Sequence, residues 1–205
     1  MSYPAPLEAL IDAFERFPGI GRRSAERMAF FALRDPRAKE LPQVVRDALE
    51  RTLRCRVCGN VGASDPCELC GDAKRDARVV LVVEEPRDVE AVERAGVHKG
   101  RYFVLMGALN PATGGDERSL NLRGLIERAA KGEYDEVILG TDPDAEGEAT
   151  ATLVLRALEK SGAKVRVTRL ARGLPAGSAL EYLHRGILED AMNGRVELRT
   201  RPQSG

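Results

Sequence analysis

Two Cys-x-x-C pairs, Cys55-Arg56-Val57-Cys58 and Cys67-Glu68-Leu69-Cys70, lie eight residues apart and contain all four cysteines of the chain. Two such knuckles brought together place four thiolates at the corners of one tetrahedron, the closed sulfur site that zinc most often fills. The intervening Gly59-Asn60-Val61-Gly62-Ala63-Ser64-Asp65-Pro66 is rich in turn formers, as a chain doubled back round an ion requires. It carries almost no core, so metal binding has to supply the local folding free energy. The competing arrangement, two disulfides, suits an oxidising compartment. With no leader pattern and no spare cysteine, the chain is expected to be intracellular and cytoplasmic, where thiols stay reduced. Cys55, Cys58, Cys67 and Cys70 are therefore the expected zinc ligands, and a closed four-sulfur site is structural, not catalytic.

A chain of 205 residues has room for one sizeable core plus small modules. Basic and acidic residues balance at 32 each, so any nucleic-acid contact has to come from a local patch and not from a generally basic surface. Aromatic residues make up 4% and tryptophan is absent, which argues against a base-stacking mode of holding single strands. The longest uncharged stretch, residues 102–115, is interrupted by Pro111, glycines and a threonine, and it fits no membrane span.

Leu7, Leu10, Ile11 and Phe14 recur at helical spacing, and a second periodic stretch runs from Ser24 through Met28, Phe31 and Ala32. A third, over residues 41–53, sets Val44, Val45, Ala48 and Leu49 on one face. From residue 78 the pattern changes. Val79-Val80-Leu81-Val82-Val83 is a continuous apolar run that predicts a buried parallel strand, followed by a helix over 87–94. Strands over 102–106, 136–139 and 165–170 then alternate with helices over 120–130 and 146–160. The fold class is α/β with a mainly parallel sheet, preceded by a helical module and the cysteine finger. The expected divisions are 1–54, 55–77, 78–172 and a C-terminal segment 173–205, whose last residues, 201–205, form a frayed tail.

Between the first two helices stands Phe17-Pro18-Gly19-Ile20-Gly21-Arg22-Arg23-Ser24-Ala25. Gly19 and Gly21 allow close approach by another molecule, and the first N–H groups of the following helix are unpaired at the positive end of its dipole. Arg22, Arg23 and, one turn on, Arg27 add charge, and Ile20 anchors the turn inward. The stretch resembles the helix-hairpin-helix motif, which implies sequence-independent contact with the DNA backbone. The bland alternative is a tight corner with solvated arginines.

The first parallel strand ends in Glu84-Glu85-Pro86, and the third in Gly140-Thr141-Asp142-Pro143-Asp144-Ala145-Glu146-Gly147-Glu148. Ligands of open α/β sheets collect at the carboxyl ends of the strands, so Glu84, Asp142, Asp144 and Glu146 form a candidate acidic site. Carboxylates held this close call for a cation, and magnesium takes oxygen ligands. The Asp-x-Asp pair with a distant Glu resembles the Toprim fold of topoisomerases, primases and related nucleases. Acids at the start of a helix are also what its dipole favours.

Taken in order, the hairpin, the four-cysteine finger and the Toprim-like half resemble the RecR family of bacterial recombination mediators. The likeness runs from Phe17-Pro18-Gly19-Ile20-Gly21 through the cysteines and Val82-Val83-Glu84-Glu85-Pro86 to Glu146-Gly147-Glu148-Ala149-Thr150-Ala151. Arg101-Tyr102-Phe103-Val104-Leu105-Met106-Gly107 and Thr168-Arg169-Leu170-Ala171-Arg172-Gly173-Leu174-Pro175 extend it. The resemblance implies a non-enzymatic DNA clamp in recombinational repair, a homo-oligomeric ring, commonly a tetramer, that works with RecO and RecF to load RecA recombinase at gaps and breaks. It implies DNA contacts at Arg23 and Arg27, zinc on the four cysteines, and a part in assembly for the C-terminal segment.

Two departures stand out. The family's usual Thr-Asn-Pro-Thr is here Thr141-Asp142-Pro143-Asp144, which restores the acidic pair of catalytic Toprim proteins. Its usual Ser-Pro loop is here Asn110-Pro111-Ala112-Thr113-Gly114-Gly115. The first departure sustains an alternative, a magnesium-dependent phosphoryl-transfer enzyme of nuclease or primase type using Glu84, Asp142 and Asp144. Against it, no tyrosine carries a nucleophile motif, and His98 and His184 stand alone. A zinc-dependent transcription factor is disfavoured, since no groove-entering basic helix follows the knuckles.

Overall fold

The computed structural model describes residues 3–109, 120–171, 173–175 and 177–194. The loop 110–115, Arg172 and the tail 201–205 therefore lie outside the described residues. The chain divides into two compact units, Met1–Thr52 and Leu53–Gly205.

In the first unit, α1 (Ala5–Glu15) and α2 (Arg22–Arg34) form a helical hairpin. Ile11, Ala25 and Ala29 are completely buried between them, and Leu7, Leu10, Phe14 and Ile20 pack around that centre. Two alanines four apart give α2 a shallow face on which α1 can lie close. An unforeseen 3-10 turn, Pro36–Glu40, follows. Asp35 starts it by accepting from the Arg37 N–H at 2.9 Å, and Pro36 has no N–H to leave unpaired. The third helix, α3 (Leu41–Arg51), buries none of its side chains. Leu41, Val44, Val45 and Leu49 stay exposed within this unit.

The second unit opens with a two-stranded antiparallel hairpin, β1 (Leu53–Arg54) on β2 (Val61–Gly62), and a single helical turn, α4 (Glu68–Gly71). The helix expected to reach residue 53 stops at Arg51, because Leu53 joins this hairpin. Then come β3 (Asp76–Val83), α5 (Pro86–Ala95), β4 (Gly100–Val104), α6 (Arg123–Ala130), β5 (Glu136–Leu139), α7 (Ala145–Lys160) and β6 (Arg166–Arg169). A 3-10 turn (Leu180–Tyr182) and α8 (Arg185–Asn193) follow.

The parallel strands lie in the order β4-β3-β5-β6. Both faces of β3 are covered, which is why its apolar run is continuous. Val80 and Val82 pack with Phe103, Leu125, Ala129, Val154 and Leu158 on one face. Leu81 and Val83 pack with Val89, Tyr102 and Val104 on the other. The strand expected over 102–106 ends at Val104. Leu105 still donates to the Val83 carbonyl at 2.9 Å, but Met106 turns to φ 66° and leaves the ladder. The chain visits β4 on one side of β3 before crossing to β5 on the other. The loops after β3 and β5 therefore diverge and open a crevice at their carboxyl ends.

Candidate metal centre and nucleic-acid interface

All four cysteine sulfurs lie within 4.8 Å of one another. The Cys55–Cys70 and Cys58–Cys67 sulfur pairs are 3.9 and 3.6 Å apart, far beyond bonding distance, and the thiols are free. A tetrahedron with metal–sulfur bonds of about 2.3 Å has edges of about 3.8 Å, so the donor set fits zinc. Gly59 makes the first knuckle possible. It sits at φ 79°, its N–H donates to the Cys55 carbonyl at 2.8 Å, and Cys55 donates to the Asn60 carbonyl at 2.7 Å. Burial opposes ionisation of Cys55, but backbone N–H groups of Cys67, Cys58 and Val57 outweigh it and bring the thiol down to about 7.

The finger is fastened to the α/β sheet. The Cys58 carbonyl accepts from the Val104 N–H at 2.7 Å, and that of Val57 accepts from Arg128 Nη1 at 3.3 Å. Asn121 Nδ2 donates to the Val104 carbonyl at 3.0 Å. A Cβ on Gly59 would meet that Nδ2 at 2.5 Å and the Val104 oxygen at 2.7 Å, so this contact needs glycine for space as well as for φ. The finger thereby pairs with the last residue of β4, at the C-terminal end of an edge otherwise open to pairing.

At the hairpin, Ile20 donates to the Phe17 carbonyl at 3.1 Å, Gly19 takes φ 76°, and Ile20 packs inward as expected. Gly21 is the N-cap of α2, at φ −91° and ψ 169°, and no side chain caps the helix. A Cβ there would meet nothing within 4 Å, and the φ suits any residue. Glycine is an ordinary helix N-cap, and here it leaves the first N–H groups of α2 without a side-chain cap and with open space in front of them.

The arginines divide. Arg22 is held by Glu8 at 2.5 Å, Asp12 at 3.0 Å, Glu26 at 3.3 Å and Glu15 at 3.9 Å, and it staples α2 to α1. Arg23 and Arg27 are exposed and have no ion pair among the described residues. Sequence reasoning grouped all three. The signal it missed is the spacing of Glu8, Asp12 and Glu15, which sets three acids on one face of α1.

In the crevice, the Asp142 N–H donates to Glu84 Oε1 at 3.3 Å, so the ends of β3 and β5 do converge. Burial, reinforced by the charges of Asp142, Asp144 and Asp88, raises Glu84 above the ordinary carboxylate range. Asp144 caps α7, accepting from the Gly147 N–H at 2.8 Å. Glu146 is exposed in the first turn of α7. Beside them Thr141 Oγ1 is buried without a hydrogen-bond partner. Among the described residues, the group of three or more ligand atoms close enough for one ion is that of the four cysteines, and these carboxylates are not drawn together so tightly. No helix among the described residues is long and apolar enough to cross a membrane.

A helical hairpin with an open glycine turn, a four-cysteine finger and a parallel Toprim-type sheet define a modular zinc-finger protein of the Toprim class. Family models agree module by module. Residues 7–49 match the RecR helix-hairpin-helix, residues 54–72 the RecR four-cysteine zinc finger domain, and residues 78–171 the Toprim domain. The chain is 45% identical to a recombination protein RecR of Heliobacterium modesticaldum, over 96% of this chain and 98% of that one. It is 46% identical to the protein of that name from Acidothermus cellulolyticus, with the same coverage, and 46% identical to that of Saccharopolyspora erythraea, over 94% and 98%. The chain belongs to the RecR family.

Proposed function

We propose that the chain is a non-enzymatic DNA-binding clamp in recombinational DNA repair, which binds backbone phosphates through the hairpin of residues 17–21 with Arg23 and Arg27. The observation that carries this reading is the open N-terminus of α2 at Gly21, with no side-chain cap, beside Arg23 and Arg27, which are exposed and have no ion pair among the described residues. The relatives' shared name supports recombination, and the family resemblance supports action with RecO and RecF in loading RecA recombinase. The cysteines hold one structural zinc per chain. Exposed apolar side chains on α3 (Leu41, Val44, Val45, Leu49) and in the C-terminal segment (Leu174, Leu180, Tyr182) favour assembly with copies of the same chain into a ring, a tetramer by resemblance. Several linked hairpins give a near-neutral protein useful avidity. The working division is a helical DNA-binding region, a finger, a Toprim domain and an assembly segment 173–205.

The acidic crevice of Glu84, Asp142, Asp144 and Glu146 would repel DNA phosphates. It suits a basic surface on RecO, and a magnesium ion between the two is compatible with its charge. Phosphoryl transfer needs groups that position a nucleophile and stabilise developing charge, and the groups described in the crevice are its carboxylates and the buried Thr141 hydroxyl, which carry negative charge or none.

Gly21→Ser tests the reading. Serine is a preferred N-cap whose hydroxyl competes for the first-turn N–H groups. The variant should be as stable as the parent or more so, yet bind DNA several-fold more weakly. Unchanged DNA binding would remove the hairpin from the interface.

A further inference from the structure

Phe17 is 59% exposed, although the turn that carries it buries Ile20. Phe14, one turn earlier in the chain, packs against the Ile11, Ala25 and Ala29 centre, and Phe17 is not among the residues that do. Exposing most of a phenyl ring forfeits hydrophobic free energy that burial would recover. Its neighbours Arg16, Pro18 and Gly19 are exposed too, and a Cβ on Gly19 or Gly21 would meet nothing within 4 Å. An accessible flat ring and an uncapped helix N-terminus therefore share one five-residue hairpin, residues 17–21.

We infer that Phe17 is a stacking platform for unpaired bases, so that the hairpin grips single-stranded DNA by ring and phosphate together. This rests on the reading of the hairpin as the DNA seat. In a duplex the faces of the bases are already stacked on one another, whereas a single strand presents them to any aromatic side chain. Every base has such a face, so Phe17 adds a preference for single strands without a preference for sequence. The low aromatic content argues against a surface that stacks many bases, but the exposed ring of Phe17 is one platform in the right place and needs no others.

Phe17→Ala, Phe17→Trp and the double variant Arg23→Ala/Arg27→Ala are compared on a dT homopolymer and on a blunt duplex of equal length, with the size of the assembly measured for each. The chain has no tryptophan, so Phe17→Trp carries its only indole. Phe17→Ala should weaken single-strand binding about tenfold and duplex binding by less than about twofold, with the salt dependence unchanged because no charge is lost. Phe17→Trp should bind the single strand as the parent does, with its emission quenched by that strand and not by duplex. Equal effects of Phe17→Ala on both DNAs, no effect on either, or unquenched emission on bound strand would overturn the inference. So would a change in assembly size with Phe17→Ala, which would assign the ring to a subunit contact. If the arginine variant binds both DNAs like the parent, the hairpin reading itself falls. If it loses both while Phe17→Ala does not discriminate, only the stacking falls.

Discussion

The backbone N–H of Val104, on the edge strand of the sheet, donates to the carbonyl of Cys58, a cysteine of the metal centre, at 2.7 Å. The finger is thus part of how the α/β unit closes the C-terminal end of its edge. Removing the metal should therefore unsettle more than the knuckle. The purified protein is expected to hold one zinc per chain. Cys58→Ser should lower the melting temperature of the α/β unit by about 10 °C and promote aggregation through the uncovered end of the β4 edge. Calorimetry with metal analysis checks this, and full stability in a zinc-free chain would contradict it.

Glu84 sets a pH dependence. Burial and the charges of Asp142, Asp144 and Asp88 raise its folded value above 4.5, so its ionised form is disfavoured in the folded state. The resulting destabilisation is absent below the unfolded value. It grows as pH rises through the folded one and is complete above it. Glu84→Gln keeps an acceptor for the Asp142 N–H and should raise the melting temperature by a few degrees at pH 8, an advantage that vanishes near pH 4. Melting curves across that range decide it, and a variant less stable at pH 8 would contradict the account.

Much of this architecture was legible in sequence because its signals are local. The β-branched run of β3, the Cys-x-x-C spacing and the strand-end acids each lie within a few consecutive residues. What stayed hidden depends on contacts between distant segments. The spacing of Glu8, Asp12 and Glu15 sets three acids on one face of α1, but nothing near Arg22 says that it is the arginine they claim. Nothing near Cys58 names Val104, and the early end of β4 follows from a positive φ at Met106. The exposure of Phe17 was equally invisible, since a place in the turn does not say whether a ring packs inward, as Ile20 does, or faces out.

Gly147 shows the same limit from the other side. A Cβ there would fall 2.0 Å from the Asp142 carbonyl oxygen, a clash with backbone that no side-chain rotation relieves. Gly147→Ala should cost about 2–3 kcal/mol by forcing apart the β5–α7 turn that holds the acidic crevice. Denaturant titration measures the loss, and a neutral substitution would contradict the close approach.

Arg22 is expected to behave differently from its neighbours. Arg22→Ala removes the ion pairs joining α1 and α2, so the helical unit should melt earlier. The salt dependence of DNA binding should stay as it was, because the arginine is already neutralised. A lowered salt slope in this variant would place Arg22 on the phosphates after all.

The most direct test of the central claim is the salt dependence of DNA affinity in Arg23→Ala/Arg27→Ala, measured on several unrelated sequences. Two lost phosphate contacts should lower the slope of log K against log salt by about two per hairpin engaged and weaken binding to every sequence alike. An unchanged slope, or a loss confined to one sequence, would contradict the hairpin as a sequence-independent DNA seat.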